Sequence, residues 1–355
     1  MTEAGLDPTT ERARLLLESG RFDEARSLLR EALARDGEDA GLWCLLSLAL
    51  IRVDEPQEAT SAAARAAALE PAEEWPHRLA SIALVNQKRP DQAVAAAREA
   101  VRCGPALWQT HAQLALALHE TRGPGASDEA WYAASHATAL APEEAETHFV
   151  MGVVAQDRGQ LAVAERAYRQ ALSLEPTNAA AMNNLALVEL RLGRVHQAAE
   201  GFTSSLRADP GLGVARANVE VVGWRLLTFG YYIAFAGFWV LRLLVGETIG
   251  SLGGGVTYAV RAGVGALLVA VWAVLGRRTL HRLPVTARRY LLTLPRRQLG
   301  FGLMVAGVGV CVLGSLFGAF APASMATWGL YVAAGGVLAS FVTSWVVVIR
   351  NRKKR

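Results

Sequence analysis

His77, His111 and His148 fall 34 and 37 residues apart, and imidazoles recurring at a near-fixed interval are the first residues in this chain whose type and spacing suggest metal chemistry. Geometry argues against it. If the interval is one stacked helical unit, successive copies lie at least one helix diameter, about 10 Å, apart, whereas zinc holds imidazole nitrogen at about 2 Å. The histidines are therefore read as packing residues of a repeated helix. His119-Glu120 lacks the second histidine of an HExxH site. Gly211-Leu-Gly213 is followed by Arg216 where a dinucleotide fingerprint needs glycine or alanine. No phosphate loop, no GxSxG and no carboxylate pair in a cleft context is present. Cys44, Cys103 and Cys311 form no CxxC pair and read as packing residues. The expectation is a protein with no catalytic residue, no cofactor and no metal site, and so not an enzyme.

Proline supplies the frame for these residues. Pro71, Pro105, Pro142, Pro176 and Pro210 are spaced by 34, 37, 34 and 34 residues. Ala59, Ala93, Ala130, Ala164 and Ala198 each lie 12 residues before their proline, and Ala66, Ala100, Ala137, Ala171 and Ser205 lie five before it. Small residues in fixed slots let two antiparallel helices approach closely. Tyr168 and Phe202 enlarge the slot eight before the proline in the later copies, and Gly159 and Gly193 are suited to left-handed turns between paired helices.

The pattern resembles the tetratricopeptide repeat (TPR), a helix-turn-helix unit carrying W-x2-L-G-x2-Y, then A-x3-F, then P. Trp43, Leu46 and Leu50 answer the first-helix positions in the second copy, and Met151-Gly152 with Ala155 do so in the fifth. Gly20, Ala25, Leu29 and Ala32 place an earlier copy in register, with Gly37 in place of proline. Six copies over about residues 6–212 follow, the fourth lengthened at Arg122-Gly-Pro-Gly-Ala-Ser. Leu212–Val222 is the candidate capping helix, expected to run on unbroken through Gly223. The resemblance implies an all-α solenoid that binds a protein or peptide partner on its first helices. Carrying the register over, groove-facing candidates are Arg52, Trp75, Arg78, Asn86, Glu120, Phe149, Asp157, Asn183 and Arg191. The basic-plus-asparagine clamp that some members use for a C-terminal carboxylate is not reproduced.

Beyond residue 222 the composition changes. Residues 1–222 hold 21 basic and 31 acidic side chains, a net of −10, whereas 223–355 hold 15 basic side chains and the single acid Glu247, a net of +14. Four apolar stretches, about 226–245, 256–275, 299–320 and 329–349, are long enough to span, since about 20 residues cross about 30 Å of hydrocarbon. Arg242 and Arg261 lie near span ends, where they can snorkel to the interface. Loop 276–298 carries Arg277, Arg278, Arg282, Arg288, Arg289, Arg296 and Arg297 without an acid, and the tail from Arg350 is equally basic. The connections 246–255 and 321–328 carry no Lys or Arg. The positive-inside rule then puts the basic loop, the N-terminal arm and the C-terminus in the cytoplasm. The polar N-terminus, without a signal-peptide core, agrees. Trp224, Trp272 and Trp345 are placed near the inner boundary, and Tyr258, Trp328 and Tyr331 near the outer one.

The basic excess thus reads as membrane topology and not as nucleic-acid binding; anionic lipid headgroups are an expected partner of the loop. Gly314-Ser-Leu-Phe-Gly318 and Ala333-Ala-Gly-Gly336 offer small faces for helix contact, and whether within one chain or in a homo-oligomer stays open. Three Lys against 33 Arg, with abundant Ala, suggests GC-rich coding and a bacterial source. The expected architecture is a cytoplasmic TPR arm, 1–222, and a four-helix membrane region, 223–355. The expected function is an adaptor at the inner membrane. A small channel or transporter-like protein regulated by the repeat arm is the alternative.

Overall fold

The computed structural model describes residues 8–121, 125–245, 254–282, 285, 288–289, 291–293, 299–321 and 323–352. In chain order the helices are α1 (Pro8–Glu18), α2 (Phe22–Arg35), α3 (Ala40–Arg52), α4 (Pro56–Leu69), α5 (Glu74–Asn86), α6 (Pro90–Cys103), α7 (Trp108–Thr121) and α8 (Ala126–Leu140). They continue as α9 (Ala145–Asp157), α10 (Leu161–Leu174), α11 (Ala179–Arg191), α12 (Val195–Ala208), α13 (Gly213–Val245), α14 (Gly254–Arg282), α15 (Leu299–Phe320) and α16 (Ala323–Arg352). No strand occurs among the described residues. The chain divides into two compact units, Met1–Val188 and Glu189–Arg355.

The first unit is an alternation of paired helices. The first helix of a pair, α1, α3, α5 or α7, packs on its own second helix and on the first helix of the next pair. Small side chains permit this: Ala59, Ala66, Ala93, Ala100, Ala130, Ala137, Ala164 and Ala171 are at most 1% exposed. Where the slot grows, its opposite number shrinks. A Cβ on Gly152 would strike the ring of Tyr168, so the one residue without a side chain on α9 faces the fully buried tyrosine of α10.

The turn inside each pair is set by one left-handed residue. Gly20, Gly125, Gly159 and Gly193 have φ of +75°, +78°, +73° and +80°, and Asp54 and Lys88 hold the same conformation at +62° and +60°. A six-to-one backbone bond closes these ends, as in Arg89 N to Leu84 O (3.0 Å), Gln160 N to Ala155 O (2.9 Å) and Glu55 N to Leu50 O (2.9 Å), satisfying carbonyls the helix leaves open. Residues 122–124 of the insertion in the fourth copy lie outside the described residues.

In the second unit, α13 is a single helix of 33 residues, unbroken at Gly223 as the sequence predicts. It packs against α12, α14, α15 and α16. α15 and α16 meet backbone to backbone: a Cβ at Gly314, Gly329 or Gly336 would collide with main-chain atoms of Ala333, Gly318 and Cys311 respectively. The GxxxG face of α15 is therefore filled by α16 of the same chain.

Two helices are long and apolar enough to cross a membrane among the described residues, Gly213–Val240 and Phe301–Phe320. These correspond to two of the four spans expected from the sequence. The described apolar runs on the other two, Tyr258–Val271 and Trp328–Ser340, are shorter.

Candidate functional site

The recurrent histidines have a structural task. His77, His111 and His148 each donate through Nε2 to the carbonyl of the proline six residues earlier, Pro71 (3.2 Å), Pro105 (2.8 Å) and Pro142 (2.7 Å). The same slot is taken by Trp43, whose Nε1 donates to Gly37 O at 2.8 Å, and by Arg216, whose Nη2 reaches Pro210 O at 3.4 Å. The proline carbonyl ends one pair, and the donor on the next helix fixes the step between pairs. Imidazole, indole and guanidinium interchange in this slot, and Met182, whose side chain has no donor, takes it after Pro176. No group of three or more His, Cys, Asp or Glu is placed to hold a metal among the described residues.

Within the second unit, Arg216 repeats this bond at the start of α13. That helix thus begins as a repeat-type first helix and continues, without interruption, into a stretch apolar enough to span a bilayer. Arg225 on the same helix donates to Leu190 O at 2.9 Å, capping the end of α11.

The first helices of the first unit lie side by side, and the face they share is the candidate groove. Arg78 is half-buried and paired with Glu74 (Nε to Oε2, 2.9 Å). Trp75 packs half-buried with Trp43 and Ile51. Phe149 is half-buried with its ring centroid 6.0 Å from that of Tyr168. Arg52 lies over the Phe22 ring at 4.9 Å, and Asn86, Glu120 and Asp157 are exposed. Asp157 Oδ2 is 3.8 Å from His119 Nδ1. Asn183 is only 4% exposed, and its amide donates to Asn184 Oδ1 at 3.2 Å. Arg191 is exposed and belongs to the second unit.

Two features of this face escaped the sequence analysis. Leu48, Ile82, Leu116 and Val153 are all half-buried at one register position, i+7 from the start of the stripe that carries Trp75 and Arg78, and they form its apolar floor. Aligning on the prolines finds them, 23 residues upstream of Pro71, Pro105 and Pro176 and 26 upstream of Pro142. The second is Glu146, reached by water yet ringed by protein. The surrounding protein pushes its carboxyl up, Arg78 pulls it down, and Glu144 and Glu175 push it up. An acidic group whose charge is penalised in this way, beside an apolar floor, favours a cationic or mixed-charge ligand, which would relieve that penalty.

In the second unit a cavity of about 350 Å³ lies among α13, α14 and α15, lined by Ala234, Gly237, Leu268, Val269, Ala273, Val312, Ser315 and Leu316. Of the basic loop, Arg277, Arg278 and Arg289 are exposed and Arg288 is half-buried. Arg242 is exposed, whereas Arg296, Arg297 and the side chains of Arg261, Arg282, Trp272 and Trp345 lie outside the described residues.

Stacked helix pairs joined through a proline carbonyl define a helical-repeat protein. Residues 7–49 and 149–212 each match a family model described as tetratricopeptide repeat, so these two stretches carry tetratricopeptide repeats. Among solved structures it is similar to the APC/C hetero-tetramer Cut9-Hcn1, at 17% identity and a TM-score of 0.54, covering 60% of this chain and 42% of that one. It thus spans less than half the length of that relative. TTC0263, a thermophilic TPR protein in Thermus thermophilus, is similar at 20% identity and a TM-score of 0.48, covering 52% and 98%. YrrB, described as a TPR protein with an unusual peptide-binding site, is similar at 18% identity and a TM-score of 0.37, covering 53% and 96%. At these identities the likeness concerns the fold alone. No curated protein matches the sequence.

Proposed function

We propose that this protein is a membrane-anchored adaptor, whose repeat arm binds a basic or mixed-charge segment of a partner protein and holds it at the cytoplasmic face of the membrane. The observation that carries the reading is α13: one helix has the repeat's proline-carbonyl bond at Arg216 and, from Leu226 on, the apolar part of a stretch fit to cross a bilayer. In this reading residues 1–222 are the cytoplasmic arm and 223–355 the membrane region. α13 to α16 all cross, α14 and α16 being carried by packing on their neighbours, and the arginines of loop 276–298 stay inside and touch anionic headgroups. The groove residues are Trp75, Arg78, Glu120, Glu146, Phe149 and Asp157 above the apolar floor, with Arg52, Asn86 and Arg191 at its margins. The cavity among α13, α14 and α15, polar only at Ser315, supports an anchor and not a transport path.

The test is crosslinking of the full chain in cells, with partners identified by mass spectrometry, in the wild type and in Glu120→Arg with Asp157→Arg. Both residues are exposed, so the fold tolerates the change. Partners lost from the double variant and retained by Glu99→Arg, on the second helix of a pair, support the groove. An unchanged partner set contradicts it.

A further inference from the structure

A second cavity in the unit 189–355, of about 480 Å³, lies between the start of α12 and the middle of α13. Arg194 and His196 line it from one side, and Arg225, Leu226 and Phe229 from the other, with no acid in the lining. On α13 the lining passes from Arg225 to Phe229, one turn and about 6 Å along the axis. The same helix face continues at three- and four-residue steps through Tyr232, Ala236 and Val240. Phe229, Tyr232 and Val240 are 58%, 62% and 46% exposed, large apolar side chains that the chain itself leaves uncovered. Trp224, beside Arg225, stacks edge-on against Phe301 at the start of α15, with ring centroids 5.2 Å apart, an arrangement suited to the membrane boundary.

We propose that this cavity seats the phosphate head of an anionic phospholipid, with its acyl chains running along the Phe229, Tyr232 and Val240 face. The inference rests on the reading of α13 as a membrane span. Two observations favour a lipid over a soluble phosphoester. The basic lining grades into an apolar face, and that face continues along the stretch of the helix read as a bilayer segment. Arg225 supplies one guanidinium arm to Leu190 O and has its remaining N–H groups for a phosphate. A lipid seated there would lock the last turn of the repeat arm to the bilayer surface. This site is separate from the basic loop after α14, which the sequence marks for topology.

The experiment uses the full chain in phosphatidylcholine nanodiscs doped with phosphatidylglycerol, with bound lipid counted by native mass spectrometry. Each arginine is worth about a five-fold change in affinity and the two together about twenty-five-fold, so Arg194→Gln with Arg225→Gln loses the tightest phosphatidylglycerol, and Arg225→Lys restores most of it. Arg194 is exposed, so Arg194→Gln alone keeps the test valid if Arg225→Gln disturbs the cap on α11. Phosphatidylglycerol binding equal to wild type in both Arg194→Gln and the double variant overturns the proposal. Glycerol phosphate competing as well as the lipid also overturns it, in favour of a soluble phosphoester. Alkaline extraction separates the two layers of the argument. A chain released from membranes contradicts the span itself, whereas a retained chain with unchanged lipid binding contradicts only the headgroup site.

Discussion

The pairs α9–α10 and α15–α16 both bring two helices unusually close, and they do it with different residues. In the repeat pair the tool is alanine, with a single glycine, Gly152, hollowed out for the Tyr168 ring. In the hairpin it is glycine throughout, at 307, 314, 318, 329 and 336, so that backbones touch. In the membrane-anchored reading proposed above, the difference follows from the solvent that each region meets. In water a helix interior glycine costs about 1 kcal/mol against alanine, and burying a ring offsets much more than that. In a bilayer, with no hydrophobic drive between helices, close backbone approach itself supplies the attraction. Small residues are thus spacers in one region and the contact surface in the other.

The sharpest way to break this comparison is to add one carbon where backbones meet. Gly329→Ala places a methyl against the main chain of Gly318 and should destabilise the hairpin by about 3 kcal/mol or more, read by unfolding of the full chain in detergent. Tolerance of alanine there would mean that α15 and α16 are spaced as in the repeat arm.

A comparable loss is expected in the repeat arm from Tyr168→Ala, about 3–5 kcal/mol for emptying a fully buried ring site. Its partner change is more telling. Gly152→Ala should cost about 1–3 kcal/mol alone and nothing, or a small gain in helix propensity, once Tyr168 is already alanine. A double-mutant cycle with no coupling would contradict the knob-and-hollow reading.

Much of this pairing is legible in the sequence. The proline ladder and the alanine slots are covalent spacings, and spacing survives in a sequence. The left-handed turns at Gly159 and Gly193 are legible too, because only glycine takes that conformation without strain. The histidine slot is visible in the sequence but its purpose is not. The bond to the proline carbonyl becomes plain only when Trp43 and Arg216 prove to share it. The floor of the groove, Leu48, Ile82, Leu116 and Val153, stays hidden because an apolar residue on a first helix serves core and groove equally, and only half-burial tells them apart. Asn183 fails in the opposite sense: its polar side chain suggests the surface, and it is buried. For the GxxxG of α15, sequence leaves intrachain and intermolecular contact open, since small residues fit either, and α16 fills it.

Smaller effects sharpen the contrast within the repeat arm. Lys88 holds a left-handed turn that glycine holds in other pairs, so Lys88→Gly should gain about 1 kcal/mol and Gly159→Ala should lose about as much, compared by urea midpoints. Glu146→Gln gives the smallest change and a sign. The carboxyl of Glu146 is pushed above its ordinary range, so the folded state binds its proton more tightly than the unfolded one, and its contribution to stability falls as pH rises through that window. The glutamine variant should therefore be slightly more stable than wild type at neutral pH and equal to it in acid. A gain that persists in acid would point to a cause other than the charge.

The central claim is that α13 is at once the last repeat helix and a membrane span, and its surface allows a direct test. Val214, Val221, Phe229, Tyr232 and Trp239 are between 46% and 62% exposed, so the protein itself shields none of them. Single cysteines at these positions, in a chain lacking its native cysteines, should react with a water-soluble maleimide from the cytoplasmic side at 214 and 221. At 232 and 239 they should stay unlabelled until detergent is added. Equal labelling of all five in intact membranes would contradict the account.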